Sequence, residues 1–306
     1  MKSNGLSPTR WARLIPIVFI TYSLAYLDRA NYSFGAASGM AADLKITAAV
    51  SSLLGALFFL GYFFFQVPSA NYAEKRSAKK LVFWSLIVWG ILASLIGVVT
   101  NIYMLLAIRF LLGIVEAAVM PAMLVFLSHW FTGEERSRAN TFLILGNPIT
   151  VLWMSVVSGY LLNSFGWRWM FIIEGLPSIL WAFIWWKLVD DKPSEAKWLK
   201  DHEKQALNQA LEDEQKKLKS VANYRAAFKQ KSVIFLCLQY FFGVLVSTVL
   251  SCGCRRSLNQ RPTSASLKPA GSHLHLIYWQ PCSWSLPPFF LIVCRCENHL
   301  FGHSCS

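Results

Sequence analysis

No cysteine precedes Cys237 in this 306-residue chain, so no disulfide frame or thiolate metal site organises most of its length. Charge is also sparse. Asp, Glu, Lys and Arg make up 15% of the residues against 55% hydrophobic, and the mean hydropathy is +0.42, too apolar a balance for a soluble domain of this size. Also missing are a glycine-rich phosphate loop, a nucleophile with its base and orienting partner, and a set of metal ligands in ordered pairs. These absences set enzyme chemistry aside, and with it any need for a cofactor or metal. No cleavable signal peptide is expected, because the first apolar run is long and carries Asp28 and Arg29 where a small-residue cleavage site belongs.

What the chain does have is apolar runs. They lie near 15–37, 49–69, 81–100, 102–127, 141–163, 169–188 and 232–250, each close to the ~20 residues a helix needs to cross hydrocarbon. The expected fold is all-α, a polytopic membrane helix bundle. The net charge of +13 is not a nucleic-acid signature, because the basic residues gather in alternate loops. Lys2, Arg10 and Arg13 precede the first span; Lys75, Arg76, Lys79 and Lys80 follow the second; Arg136 and Arg138 follow the fourth. The opposite loops hold little beyond Lys45 and Arg168. This bias predicts an inner (cytoplasmic) membrane protein with a cytoplasmic N-terminus, and a cytoplasmic loop after the sixth span. The lipid bilayer is its partner, nucleic acid is not, and nothing assigns an oligomeric state.

Four regions follow: a six-span bundle over 1–188, a cytoplasmic linker over 189–231, the start of a seventh span over 232–242, and a tail over 243–306. From Pro193 to Lys219 the linker alternates acidic and basic residues, the pattern of a surface helix laced with short-range ion pairs. A solvated connector is the plain expectation, and a partner-binding helix is the alternative.

Composition changes abruptly at Phe242. Six of the seven cysteines and four of the six histidines lie beyond Gly243, in segments without helical period or capping residues. Cys252, Cys254, His273, His275, Cys294 and Cys296 lack the pair spacing of zinc modules. The genetic code gives a better account. Every Gly codon begins GG, so Gly243 behind a Phe codon ending in T reads as Trp one base back. Continued through Asn259, the shift permits W-S-I-G-V-Y-G-F-V-L-W-L-P-S-I-I-K, an unbroken apolar span. It also permits T-G-W-L from Pro269 to Ser272 and R-K-P-F-V-W-P from Glu297 to His303. Three membrane-protein strings in one shifted frame predict that 243–306 is out of frame and has no designed function.

Charges inside two spans carry the functional signal. Asp28 and Arg29 lie in the first and Arg109 and Glu116 in the fourth. An ionisable group at membrane depth costs roughly 2.5–3.5 kcal/mol, so it marks a solute or ion pathway. Asp28 and Arg29 are about 100° apart on a helix and need partners elsewhere, whereas Arg109 and Glu116, seven residues apart, share a face. A static ion-pair cluster is the structural alternative, but buried pairs stabilise weakly because desolvation offsets their attraction. A carboxylate beside an arginine can instead exchange its proton as that arginine captures an anion. Coupled movement of protons and a small organic anion is the expectation.

Four segments sharpen this: Y-L-D-R-A-N-Y-S at 26–33, R-F-L-L-G-I-V-E-A-A-V-M-P-A at 109–122, H-W-F-T-G-E-E-R-S-R-A at 129–139, and G-W-R-W-M-F-I-I-E-G-L-P at 166–177. They resemble the N-terminal half of a major facilitator superfamily transporter, in the anion:cation symporter branch of sugar-acid, tartrate and phthalate permeases. The resemblance covers about 12–242. It implies a six-plus-six helix, proton-coupled symporter of an organic anion such as a sugar acid, working by alternating access around a central site. It also implies that Asp28 and Glu116 are proton-coupling carboxylates with Arg109 beside Glu116. Arg29 would then be the substrate-carboxylate clamp, with Tyr26, Asn31 and Asn147 as further substrate contacts. The loop from Ala70 to Lys80 loosely resembles the gating motif G-x-x-x-D-R-x-G-R-R. Glu74 takes the Asp position, Lys75 the first Arg, and Lys79 keeps a later basic charge, while Ala70 and Ser77 replace the glycines. That replacement weakens the expected close helix approach. With its second bundle ended inside the first helix, the chain is expected to be truncated and inactive. The alternative is a non-transporting half-protein that at most associates with another subunit.

Other residues carry plainer expectations. Gly146, Pro148 and Gly159 permit bending and close packing, and Pro68 and Pro121 bend their helices. Trp11, Trp130, Trp167 and Trp169 form interfacial belts, His129 lies at a membrane surface, and Glu174 anchors to Arg168.

Overall fold

Backbone amides with no water to bond must close their hydrogen bonds internally, and each of the first six predicted spans is helical. The structure, a computed structural model, describes residues 8–217, 231 and 233–243, without the side chains of 28–30, 33, 37, 38, 48, 215 and 217. Helix α1 (Thr9–Gly35) passes through a π-helical turn, Ala36–Met40, into the short α2 (Ala41–Asp43). Then come α3 (Ala48–Lys75), α4 (Ala78–Ile96) and α5 (Ile102–Trp130), whose N-caps Thr47, Ser77 and Asn101 each accept an amide hydrogen bond from the first turn. Pro16, Pro68 and Pro121 lie inside α1, α3 and α5 without ending them.

The helical segment α6 (Gly133–Leu188) is 56 residues long, nearly three times the ~20 that one span requires, and consists of two helices that meet at a kink. Gly166, at φ 78° and ψ 171°, divides it into two arms, since that conformation is open essentially to glycine alone. A 3-10 turn at Pro193–Glu195 leads to α7 (Asp201–Lys217). Among the described residues there is no strand, and α3, α4, α5 and α6 are long and apolar enough to cross a membrane. Helix α1 is as long, but Arg10, Arg13, Asp28 and Arg29 dilute its apolar character.

The chain divides into two compact units, Met1–Leu218 and Lys219–Ser306. In the first, α3 packs along α5, while α1 and α4 pack along α6. Small residues let backbones meet. A Cβ on Gly90 would fall 2.8 Å from the carbonyl oxygen of Gly175, and one on Gly175 would fall 2.7 Å from that of Gly90. Gly146 sits against Ser23, as expected of a close contact, but Gly159 faces open space and has no packing role. Phe59, Phe63 and Phe64 on α3 and Val156, Tyr160 and Leu180 on α6 are exposed, an apolar exterior suited to lipid. In the second unit, α8 (Val233–Gly243) begins where the seventh span was expected. The tail beyond it, with its cysteines, histidines and shifted-frame strings, lies outside the described residues.

The linker differs from a solvated connector. Pro193, Ala196, Leu199 and Leu207 are buried, and Trp198 stacks on the fully buried Trp130 with ring centroids 5.4 Å apart and planes 14° from parallel. Trp130 Nε1 donates to the Asp190 carbonyl. Asp191 Oδ1 accepts the Lys79 amide at 3.1 Å, next to the Lys80 amide that Ser77 caps. Glu214 Oε2 accepts the Gly133 amide at 2.8 Å, and Glu214 Oε1 lies 3.3 Å from Arg136. Helix N-termini carry unsatisfied amides and partial positive charge, and two carboxylates of the linker, Asp191 and Glu214, serve α4 and α6. The expected short-range pairs are also present, Lys204 with Asp201 and Lys216 with Asp213.

Two of the expected belt tryptophans are instead interior. Trp130 is enclosed by the linker, and Trp167 is buried with Nε1 donating to Asp43 Oδ2 at 2.9 Å. Trp169 is exposed as expected.

Candidate functional site

Helical spacing assembles a cavity from three helices. Tyr22, Ala25 and Tyr26 fall at i, i+3 and i+4 on α1, and Glu116, Val119 and Met120 fall at the same offsets on α5. With Tyr62 of α3 they line a small, partly open cleft with room for about one water. Glu116, only 3% exposed, is the one carboxyl among the described residues of a wall otherwise made of phenol and apolar groups.

Arg109 lies two turns earlier on the same helix, ~10 Å along the axis, and is likewise buried. Its guanidinium carbon stands 3.5 Å from the ring centroid of Tyr32 and 6.0 Å from that of Phe58. Both charged residues of α5 are therefore on buried surface, in accord with their spacing.

The α1 candidates separate. Tyr26 is on the cavity wall, whereas Asn31, about 140° further round the helix, is enclosed against α6. Ser158 Oγ lies 3.1 Å from Asn31 Oδ1 and 2.8 Å from Glu174 Oε1, so one hydroxyl joins α1 to both arms of α6. Asp28 and Arg29 lie on α1 between these two positions, and their side chains are outside the described residues. Asn147, on the first arm of α6, has a buried Oδ1 that accepts no hydrogen bond among the described residues.

Glu174 does not anchor to Arg168. Arg168 Nη1 donates to the carbonyls of Val99 at 2.8 Å and Gly97 at 3.4 Å, because the turn after α4 presents unpaired oxygens nearer than the carboxylate six residues on. In the gating loop, Glu74 and Lys75 are exposed at the end of α3. Lys79 is held on three sides. Its amide reaches Asp191, its carbonyl accepts from Trp185 Nε1 at 3.1 Å, and its ammonium lies 4.9 Å from the Trp186 ring centroid. Ser77, in a glycine position of that motif, serves as the α4 N-cap.

Tyr22, Tyr62, Tyr32 and Ser158 join the candidate residues unannounced. Tyr22 had a signal in its four-residue offset from Tyr26, and Tyr32 belongs to the segment at 26–33. Tyr62 is hidden in an aromatic run, and Ser158 gave no signal. Among the described residues no group of His, Cys, Asp or Glu could hold a metal ion.

Among the described residues, four helices long and apolar enough to cross a membrane define a polytopic membrane protein. The sequence profile of the Major Facilitator Superfamily matches residues 18–252, and the chain belongs to that family. It is a multi-pass membrane protein, and its family comprises transporters rather than enzymes. The "Putative tartrate transporter" of Agrobacterium vitis is 33% identical over 236 residues, 75% of this chain and 54% of that one. The "Quinolone resistance transporter" of Acinetobacter baumannii is 34% identical over 239 residues, 74% of this chain and 54% of that one. A crystal structure of a bacterial homolog to the human lysosomal transporter Spinster, inward-facing and unoccupied, shares the fold. Its TM-score is 0.53 at 22% identity, over 63% of this chain and 46% of that chain. The chain spans about half the length of the curated relatives it matches.

Proposed function

We propose that this chain is the N-terminal half of a proton-coupled symporter for an organic anion, a sugar acid foremost, in an inner membrane with its N-terminus in the cytoplasm. The observation that carries the reading is Glu116, a buried carboxyl on the wall of a tyrosine-lined cavity and on the same helix face as Arg109. A carboxyl at membrane depth beside an arginine can exchange a proton as that arginine captures an anion. Asp28 and Glu116 carry the protons, and Arg109 adjusts Glu116. Arg29 clamps the substrate carboxylate, while Tyr26, Asn31 and Asn147 contact its hydroxyl and carboxylate oxygens. The unpaired Asn147 Oδ1 supports its part, since a bound hydroxyl would satisfy it. Glu74, Lys75 and Lys79 serve the gating loop. The tartrate named for one relative is an organic acid, consistent with this substrate class.

We further propose that 243–306 is an out-of-frame tail; the family match stops at residue 252, soon after the compositional break. Sequencing the gene around the Phe241 and Phe242 codons tests this directly. The transport reading is tested by restoring the frame and reconstituting the protein in proteoliposomes. Asp28→Asn and Glu116→Gln each abolish proton-driven accumulation, while counterflow without a gradient survives in one of them. Full pH-dependent accumulation by both variants would overturn the assignment.

A further inference from the structure

Where α4 begins and α6 ends, exposed residues form three layers. Lys80 is in the first turn of α4 and Lys187 in the last turn of α6, and both are exposed. One turn toward the middle of each helix stand the exposed rings of Trp84 and Phe183, and one turn further the exposed aliphatic Val88 and Leu180. Offsets of three and four keep each column on one helix face. The columns adjoin. Phe83, next to Trp84 in the chain, has its ring centroid 6.0 Å from that of Phe183 and 4.8 Å from that of Trp186. Lys79 brings a third ammonium, 4.9 Å from the Trp186 ring centroid. No ion pair among the described residues engages Lys79, Lys80 or Lys187. Asp191, the acid met at this end of α4, is bound to the Lys79 amide and offsets the partial charge of the helix end.

A phospholipid is layered in the same order: a charged phosphate, an interfacial zone in which aromatic rings settle, then hydrocarbon chains. We propose that the α4–α6 seam binds one anionic phospholipid, with its phosphate between Lys80 and Lys187 and its chains along Trp84, Phe183 and Leu180. Lysine stems are long enough to lie on the apolar layer while their ammonium groups reach the phosphate above it. The sign of the charge selects the lipid. Three ammonium groups attract a headgroup of net negative charge, such as that of phosphatidylglycerol, and repel the choline of a zwitterionic one. The inference goes beyond the transport reading and is independent of it, since it requires only that α4 and α6 lie in a bilayer.

Native mass spectrometry of the 306-residue chain, released from detergent micelles after titration with phosphatidylglycerol or phosphatidylcholine, tests it. The wild type retains one phosphatidylglycerol in preference to phosphatidylcholine. Lys80→Gln and Lys187→Gln each weaken that preference about fivefold, which is what one lysine near an anionic surface is worth. Lys80→Arg and Lys187→Arg keep it, which separates lost charge from lost fold. Lys197→Gln and Lys200→Gln, at exposed lysines of the linker, leave it unchanged. Should the 306-residue chain not reach the membrane, the frame-restored protein carries the same comparison. Equal retention of the two lipids by the wild type, an undiminished preference in the Lys80 and Lys187 glutamine variants, or the same loss from the linker lysines overturns the site. Displacement of phosphatidylglycerol by excess inorganic phosphate overturns it as well, since a site that a free anion fills makes no use of the apolar layers.

Discussion

Arg29 separates shape from charge. If it clamps a substrate carboxylate, its value lies in the planar two-pronged fork, which an ammonium cannot reproduce. Arg29→Lys in the frame-restored protein is then expected to lower apparent substrate affinity about tenfold or more, the loss of one charge-assisted hydrogen bond. An arginine with only a structural pairing would tolerate lysine, and unchanged affinity in a concentration series of uptake would rule the clamp out. At this scale the sequence was partly legible. Arg109 and Glu116 could be assigned to one face because seven residues are two helical turns. Tyr62 could not be singled out, because Phe58, Phe59, Phe63, Phe64 and Phe65 surround it and helical period alone does not say which aromatic turns inward. Asn31 and Tyr26 share a motif but not a surface, since five residues rotate a helix well away from its starting face.

Among the elements, α6 is the least regular. The sequence predicted two spans with a break near 164–168, and the structure has two helices that meet at a kink there, at Gly166. Gly166→Ala should cost about 1–3 kcal/mol, the strain of forcing a Cβ into that conformation. Gly159→Ala, facing open space on the same helix, should be neutral or slightly stabilising. Thermal unfolding of both variants in detergent checks the pair, and equal midpoints would show that the bend does not depend on glycine. The local caps Thr47, Ser77 and Asn101 are legible in sequence because donor and acceptor lie within one turn. The role of the linker is not. Glu214 and Asp191 look like members of a solvated charge pattern, and the amides they cap lie 81 and 112 residues away.

For the whole molecule, alternating access requires two bundles rocking about a shared site, and the family relatives are about twice as long as the matched region. The 306-residue chain is accordingly expected not to transport by itself. Side-by-side expression with the one-base-restored gene product, measuring sugar-acid uptake and membrane abundance, checks this; comparable uptake by both would mean that the tail is functional. Fold class was legible at this scale because membrane thickness imposes a length on every helix.

The linker's grip on α4 and α6 also imposes an order in time. The amides at Lys79 and Gly133 leave the ribosome 112 and 81 residues before the carboxylates that complete them. At ~5–20 residues per second of synthesis, the α4 end waits about 6–22 s for its partner and the α6 end about 4–16 s. The first bundle therefore cannot finish folding when its last span has entered the membrane. It finishes only when Glu214 has been made, so the segment between the halves acts as the closing step of the first half rather than as a passage to the second.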